Sequence, residues 1–377
     1  MSIKVMQIIA RMNVGGPAVI VADLMRGLDS QKFNQILVTG FCDEDEADYL
    51  ETVATDVSAT RIAGLGRSIS LGADLRAFFA LVSMIRAEKP DVIHTHTAKA
   101  GVLGRVASIV AGSKAIRIHT FHGHLLHGYF SGWKTALVIA IEKFLAKRTQ
   151  FLIAVGNQVR DDLLAVGIGD AEKFRTFFPG LPSPATLSKT QCRNALGLNP
   201  STIYCTFVGR LTQIKRPDRL LDIAEQMNKN GTNLHFLIAG EGDLFEASKE
   251  RALREELPVT FLGWRNDIDL IFAASDIAIL TSDNEGIPLT LIQAAQAGLP
   301  IVAPRVGSIA DIVLDGENGF LTPPHVAEMA DSLTRLVNDK VLREKLGANG
   351  RDRAEEFFSL GKSLADHMKL YEFSQHK

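Results

Sequence analysis

Cysteine is scarce: the 377 residues hold only Cys42, Cys192 and Cys205, scattered and odd in number. Such a set fits no zinc spacing and no disulfide framework, and it points to a reducing compartment. A charge excess is also missing. The formal net charge of −2 supplies no overall drive towards nucleic acid. Long hydrophobic runs are absent too. The most apolar stretch, Ala136 to Ile141 and on to Ala146, is interrupted by Glu142 and Lys143. It falls well short of the ~20 residues that span a bilayer. Met1-Ser-Ile-Lys4 leads straight into an apolar strand and a glycine turn, which is not the order of a signal peptide. A cytoplasmic location is expected, with peripheral attachment at the inner face of the cell membrane as its variant.

What is present fits a globular α/β protein. Apolar residues make up 46% and charged residues 22%, outside the disordered range. Aromatics are few and the 31 glycines many, which suits folds with numerous tight strand-to-helix turns. A chain of this length exceeds one ordinary core and predicts two domains. Apolar runs at Ile3–Ile9, Gln35–Val38, Val92–His94, Ile116–Thr120 and Phe151–Val155 alternate with helical patterns at Ala18–Leu28, Leu71–Glu88, Lys99–Ala111 and Asn157–Ala165. Continuous apolar strands, each followed by a helix, predict parallel sheets covered on both faces. Pro179-Gly-Leu-Pro-Ser-Pro184 reads as a stiff linker. The rhythm then restarts at Ile203–Val208, Leu234–Ala239, Ile277–Leu280 and Ile301–Ala303. The expectation is two Rossmann-like, doubly wound domains facing across a cleft, residues 1–181 and 185–357. The strandless tail 358–377 forms a closing helix.

Ligands of such sheets bind beyond the carboxyl ends of the strands, so those loops carry the chemistry. Gly15 and Gly16 stand between the first strand and its helix, where backbone N–H groups can approach a diphosphate; a plain tight turn is the equal alternative. No G-x-G-x-x-G fingerprint occurs there or at Gly240-Glu-Gly242. His94, His96, His119, His122, His124 and His127 crowd two loops, yet lack acidic or cysteine partners at metal-binding spacing. They predict either a partly solvated polar wall or a neutral imidazole donating to a substrate. Gly209-Arg210-Leu-Thr-Gln-Ile-Lys215-Arg216 places cations just past a strand, suited to a pyrophosphate. Ser282-Asp-Asn-Glu285-Gly-Ile-Pro288 puts Glu285, and the free amides of Leu289 and Thr290, at a helix N-terminus. Gln293 falls on the second turn of that helix.

Taken together, the Gly-Gly and Phe-His loops, Gly-Arg-Leu-x-x-x-Lys, Asn-Glu-Gly-Ile-Pro, Ala-Gly-Leu-Pro-Ile-Val-Ala and Asp-Gly-Glu-Asn-Gly-Phe-Leu resemble glycosyltransferase family 4, the retaining GT-B enzymes. The resemblance spans essentially the whole chain. It implies a GT-B fold whose second domain holds most of the nucleotide sugar and whose closing helix crosses back onto the first. It implies that Gly15 and Gly16 lie against the donor diphosphate and that His122 lies near the donor sugar. Arg210 and Lys215 would neutralise the leaving diphosphate, Glu285 would contact sugar hydroxyls, and Leu289 and Thr290 would offer backbone donors. The family's second glutamate, which binds the ribose, is Gln293 here. An amide lacks the charge and the double acceptor of a carboxylate.

The implied reaction moves a sugar with retention from a nucleotide sugar, UDP-sugar by preference, to a glycan or lipid-linked acceptor. The Asp-x-Asp at Asp43-Glu-Asp45 sits in an acidic, surface-like run and is not read as a metal motif. No cofactor and no metal are therefore expected. Between Lys99 and Arg148 eight basic residues face one acidic residue, Glu142, which suits contact with an anionic membrane or simply a basic surface around a core helix. A sugar-nucleotide epimerase, or a weakly catalytic nucleotide-sugar-binding protein that kept the fold, are the alternative readings.

Overall fold

A computed structural model describes residues 2–44, 46–68, 70–123 and 133–373, the side chains of 133 and 134 excepted. Its contacts divide the chain into two compact units, Met1–Gly180 with Leu360–Lys377, and Leu181–Ser359.

The first unit is built on seven parallel strands: β1 (Ile3–Ile9), β2 (Phe33–Thr39), β3 (Thr60–Arg61), β4 (Val92–His96), β5 (Ile116–Phe121), β6 (Phe151–Ala154) and β7 (Phe174–Thr176). Their order is β3-β2-β1-β4-β5-β6-β7. Strand β1 occupies the expected residues, and Val5, Met6, Ile8 and Ile9 on it are wholly buried. Alternate residues point to opposite faces, so burial of neighbours means that both faces are covered. Each such aliphatic side chain contributes about 1.5–3 kcal/mol on leaving water. The closing helix Leu360–Phe373 supplies part of one of those covers. Its Leu370 and Tyr371 pack among Ile3, Val5, Phe33, Ile118 and Phe151.

The second unit has six parallel strands: β8 (Ile203–Val208), β9 (Leu234–Ala239), β10 (Val259–Gly263), β11 (Ile277–Ile279), β12 (Ile301–Pro304) and β13 (Gly319–Thr322), ordered β10-β9-β8-β11-β12-β13. In each sheet the order reverses beside the unit's first strand, between β1 and β4 and between β8 and β11. These are the switch points at which open sheets leave a crevice.

Several boundaries differ from the sequence expectation. Strands β3, β7, β10 and β13 were not anticipated. The helix after β1 runs Gly16–Gly27 with Gly15 as its cap, two residues earlier than the apolar period suggests. Pro288 caps its helix, Leu289–Gln296, from outside. In the proline-rich segment, Leu181 donates its amide to the Phe358 carbonyl at 2.9 Å, and its own carbonyl accepts from Gln296. These bonds tie it to the second unit. No helix among the described residues is long and apolar enough to cross a membrane.

Candidate active site

In the second unit the loops after β8 and β11 are laced together at the switch point. The Asp283 amide donates to the Ile214 carbonyl at 2.9 Å, and the Thr281 hydroxyl donates to the Lys215 carbonyl at 2.8 Å. This brings Lys215 and Glu285, 70 residues apart in sequence, into a direct ion pair. The Ser282 hydroxyl donates to the same carboxylate oxygen of Glu285 at 2.6 Å. The carboxylate is thus fixed by two donors and the ammonium by one acceptor.

Arg210 is exposed on the loop that carries Lys215 and has no side-chain partner among the described residues. Arg216, the third cation of that loop, is different. It pairs with Asp218 at 2.7 Å and Asp283 at 3.1 Å, which hold its proton more tightly than usual. Its charge is already matched. Leu289 and Thr290 begin the helix after Glu285, where Pro288 offers no side-chain cap, so their amides have no intrahelical acceptor. Gln293, on the next turn, is partly exposed.

Two glycine sites to which the sequence reading gave no structural role shape these loops. Gly307 has φ +51, and a Cβ there would lie 1.8 Å from the Glu285 carbonyl oxygen. Ser308 then donates its amide to that carbonyl at 3.2 Å. Gly240, at φ +133, would place a Cβ 2.1 Å from the Gly209 carbonyl oxygen. The Gly240-Glu-Gly242 turn is therefore a packing surface for the Arg210 loop. Of the additional residues, Ser282 alone had a signal, since it opens the motif that contains Glu285.

In the first unit, Gly15 and Gly16 form the partly exposed head of the helix after β1. His122 follows β5 and lies two strands away. Its Nε2 is 3.0 Å from His96 Nδ1 at the end of β4. His94, His96 and His119 are buried to 1% exposure or less, so the solvated-wall expectation fails for them. Strands β4 and β5 are central and covered on both faces, which removes water from alternate side chains on each. Burial pushes all three imidazoles well below their usual range, and it pushes His122 down to about 3. All four rings are neutral at physiological pH. His124, His127 and Asp45 lie outside the described residues.

Two family models cover most of the chain. A glycosyl transferase 4-like domain matches residues 15–180, and glycosyl transferases group 1 matches residues 188–353. The chain is a glycosyltransferase of the GT4 kind. Among curated relatives, an Escherichia coli UDP-Gal:alpha-D-GlcNAc-diphosphoundecaprenol alpha-1,3-galactosyltransferase is 29% identical over 86% of this chain and 85% of its own. The Staphylococcus aureus capsular polysaccharide biosynthesis glycosyltransferase CapM is 24% identical over 83% of this chain and 84% of its own. Anabaena HepE, solved in complex with UDP, superposes with a TM-score of 0.83 at 21% identity, over 98% of this chain and 100% of its own. That likeness confirms the GT-B fold of this glycosyltransferase.

Proposed function

We propose that this glycosyltransferase moves a sugar from a UDP-sugar to a glycan or lipid-linked glycan acceptor, with retention and without a metal. The observation that carries the reading is the meeting of Lys215 and Glu285 at the switch point of the second sheet, with Arg210 on the same loop. Breaking the anomeric C–O bond leaves negative charge on the departing diphosphate. Lys215, Arg210 and the open amides of Leu289 and Thr290 stabilise that charge as it develops, the work a divalent metal does elsewhere. Glu285 accepts from sugar hydroxyls. Gly15 and Gly16 let the backbone approach the diphosphate, and His122 contacts the sugar. UDP as carrier is supported by HepE, solved with UDP-glucose, and by the E. coli relative, named for a UDP-Gal donor.

An acceptor at a membrane is favoured by the helix Trp133–Lys147. It exposes Leu137, Ile141 and Phe144, and the Arg148 guanidinium lies 3.8 Å from the centre of the Phe144 ring. Beside it, Arg117, Lys147, Arg148, Lys173 and Arg175 line a concavity of about 430 Å³. Apolar groups flanked by cations suit an anionic lipid surface, each cation contributing about 1 kcal/mol near it.

The deciding experiment is a panel of nucleotide sugars assayed by mass detection of product, with lipid-linked acceptors in vesicles with and without anionic lipid. A UDP-sugar that yields product, faster on anionic vesicles, is the expected result. Transfer from a non-uridine carrier alone would overturn the donor assignment.

Two substitutions probe the site. Gln293→Glu should tighten UDP binding about tenfold if this side chain meets the ribose, because a charged acceptor bonds roughly twice as strongly as a neutral one. Titration calorimetry would read it, and an affinity unchanged from wild type for every nucleotide would refute the contact. Gly307→Ala should cut turnover by roughly ten- to a hundredfold, since displacing the Glu285 backbone misplaces the carboxylate. A variant that melts near the wild-type temperature with full turnover would show that the loop tolerates a side chain there.

A further inference from the structure

Six groups of the first unit form one continuous hydrogen-bonded line. The Thr120 hydroxyl lies 2.7 Å from His94 Nε2, and His94 Nδ1 lies 2.6 Å from the Tyr371 hydroxyl. That hydroxyl is 3.1 Å from Gln7 Nε2, and Gln7 Oε1 is 2.8 Å from His96 Nε2. The line ends at the 3.0 Å contact between His96 Nδ1 and His122 Nε2. It joins β1, β4, the end of β5 and the closing helix, yet none of its contacts is local in sequence.

Neutral imidazole carries one proton, so each ring in the line donates at one nitrogen and accepts at the other. The Gln7 amide, whose NH2 only donates and whose carbonyl only accepts, sets the rings beyond it, so His96 and His122 have two arrangements. In the first, the Gln7 amide donates to Tyr371, the Tyr371 hydroxyl donates to His94, and His94 donates to Thr120. The Gln7 carbonyl accepts from His96, and His96 accepts from His122. The His122 proton sits on Nε2, and its Nδ1 is a bare lone pair. Reversing the Gln7 amide reverses both rings beyond it and puts the His122 proton on Nδ1.

The far nitrogen of His122 decides between them. His122 Nδ1 is shielded from solvent and, among the described residues, has no hydrogen-bond partner. An orphaned buried N–H is rarer and more costly than an acceptor left with a spare lone pair. The first arrangement is the one selected.

We propose that Tyr371 and Gln7 are positioning residues that, acting through His96, hold His122 as a hydrogen-bond acceptor at Nδ1, matched to a hydroxyl of the transferred sugar. The proposal rests on the reading that His122 faces that sugar. It replaces the expectation that the imidazole donates. It also gives the closing helix a part in choosing the donor: a sugar that presents a hydroxyl at this position is accepted, and one that presents a carbonyl, an ether or a fluorine there is not.

The tautomer can be read without substrate. Protein labelled with 15N-histidine, examined by long-range 15N–1H correlation and assigned by the signals lost in His122→Gln, should show His122 protonated at Nε2 and bare at Nδ1. A proton on Nδ1 in the wild-type protein overturns the proposal. Tyr371→Phe removes one hydroxyl and leaves the Gln7 amide without a preferred orientation. It should mix the two tautomers of His122 and raise the donor KM about tenfold, with a smaller change in kcat. A Tyr371→Phe protein that is folded and keeps both the wild-type tautomer and the wild-type KM overturns the positioning role. If the variant does not fold, the wild-type spectrum still decides. Normal turnover by His122→Ala would instead overturn the sugar contact, a failure visible apart from the tautomer.

Discussion

Lys215→Ala and Glu285→Ala are each expected to lower kcat about a thousandfold while the chain stays folded. A single preorganised group aimed at developing charge is worth roughly 10²–10³ in rate, about 3–4 kcal/mol. Lys215 lies at the diphosphate end of the proposed reaction and Glu285 at the sugar end. Loss of either also frees its partner from the ion pair, so the survivor is held less well. Folding should survive because the loops are joined by backbone and Thr281 bonds that neither substitution touches. Both side chains are also partly solvated, at 19% and 11% exposure, so neither leaves a sealed cavity. Initial rates with a UDP-sugar, alongside a thermal melt, check this. Near-normal turnover in both variants would remove the pair from the chemistry.

The largest stability effect is expected at Glu142. Its carboxylate accepts two bonds of 2.7 Å from Nη2 of Arg105, whose side chain is fully buried. Arg105 Nε donates to the Gly101 carbonyl at 2.7 Å, and Nη1 has no partner among the described residues. Burial already draws the Arg105 pKa down, and only Glu142 opposes it. Glu142→Ala strands a guanidinium in the interior, which costs about 3–5 kcal/mol. At roughly 2–4 °C per kcal/mol for a unit of this size, the melting point should fall by about 10 °C. Replacing both partners with Arg105→Met and Glu142→Leu should recover much of the loss, because the uncompensated charge is gone. A melt of Glu142→Ala within a degree of wild type would show that water reaches Arg105.

These two pairs mark the limits of what the sequence discloses. The central strands are legible because burial on both faces leaves continuous apolar runs, as at Ile3–Ile9. Thr60–Arg61 and Phe174–Thr176 are short edge strands with polar residues and carry no such run. Gly319 begins a strand where a Cβ would meet the Ile301 carbonyl oxygen at 2.3 Å, so close packing there demands the residue that ordinarily argues against a strand. Lys215 and Glu285 are legible because both lie just past strand ends flanking the switch point. Gly307, which seats the Glu285 backbone, gives no sign of its partner. Glu142 reads as an interruption of an apolar helix, since nothing local points to Arg105, 37 residues earlier. The histidine line is hidden for the same reason: Gln7 and Tyr371 are 364 residues apart.

The seating of Leu370 and Tyr371 among the β1, β2 and β5 side chains sets an order of events on the ribosome. Domains generally fold as they emerge, the earliest first. Here the later unit, Leu181–Ser359, has all its strands translated before the earlier one can close. The strands before Gly180 wait, with Phe33 and Phe151 short of their last cover, until the helix Leu360–Phe373 has been made.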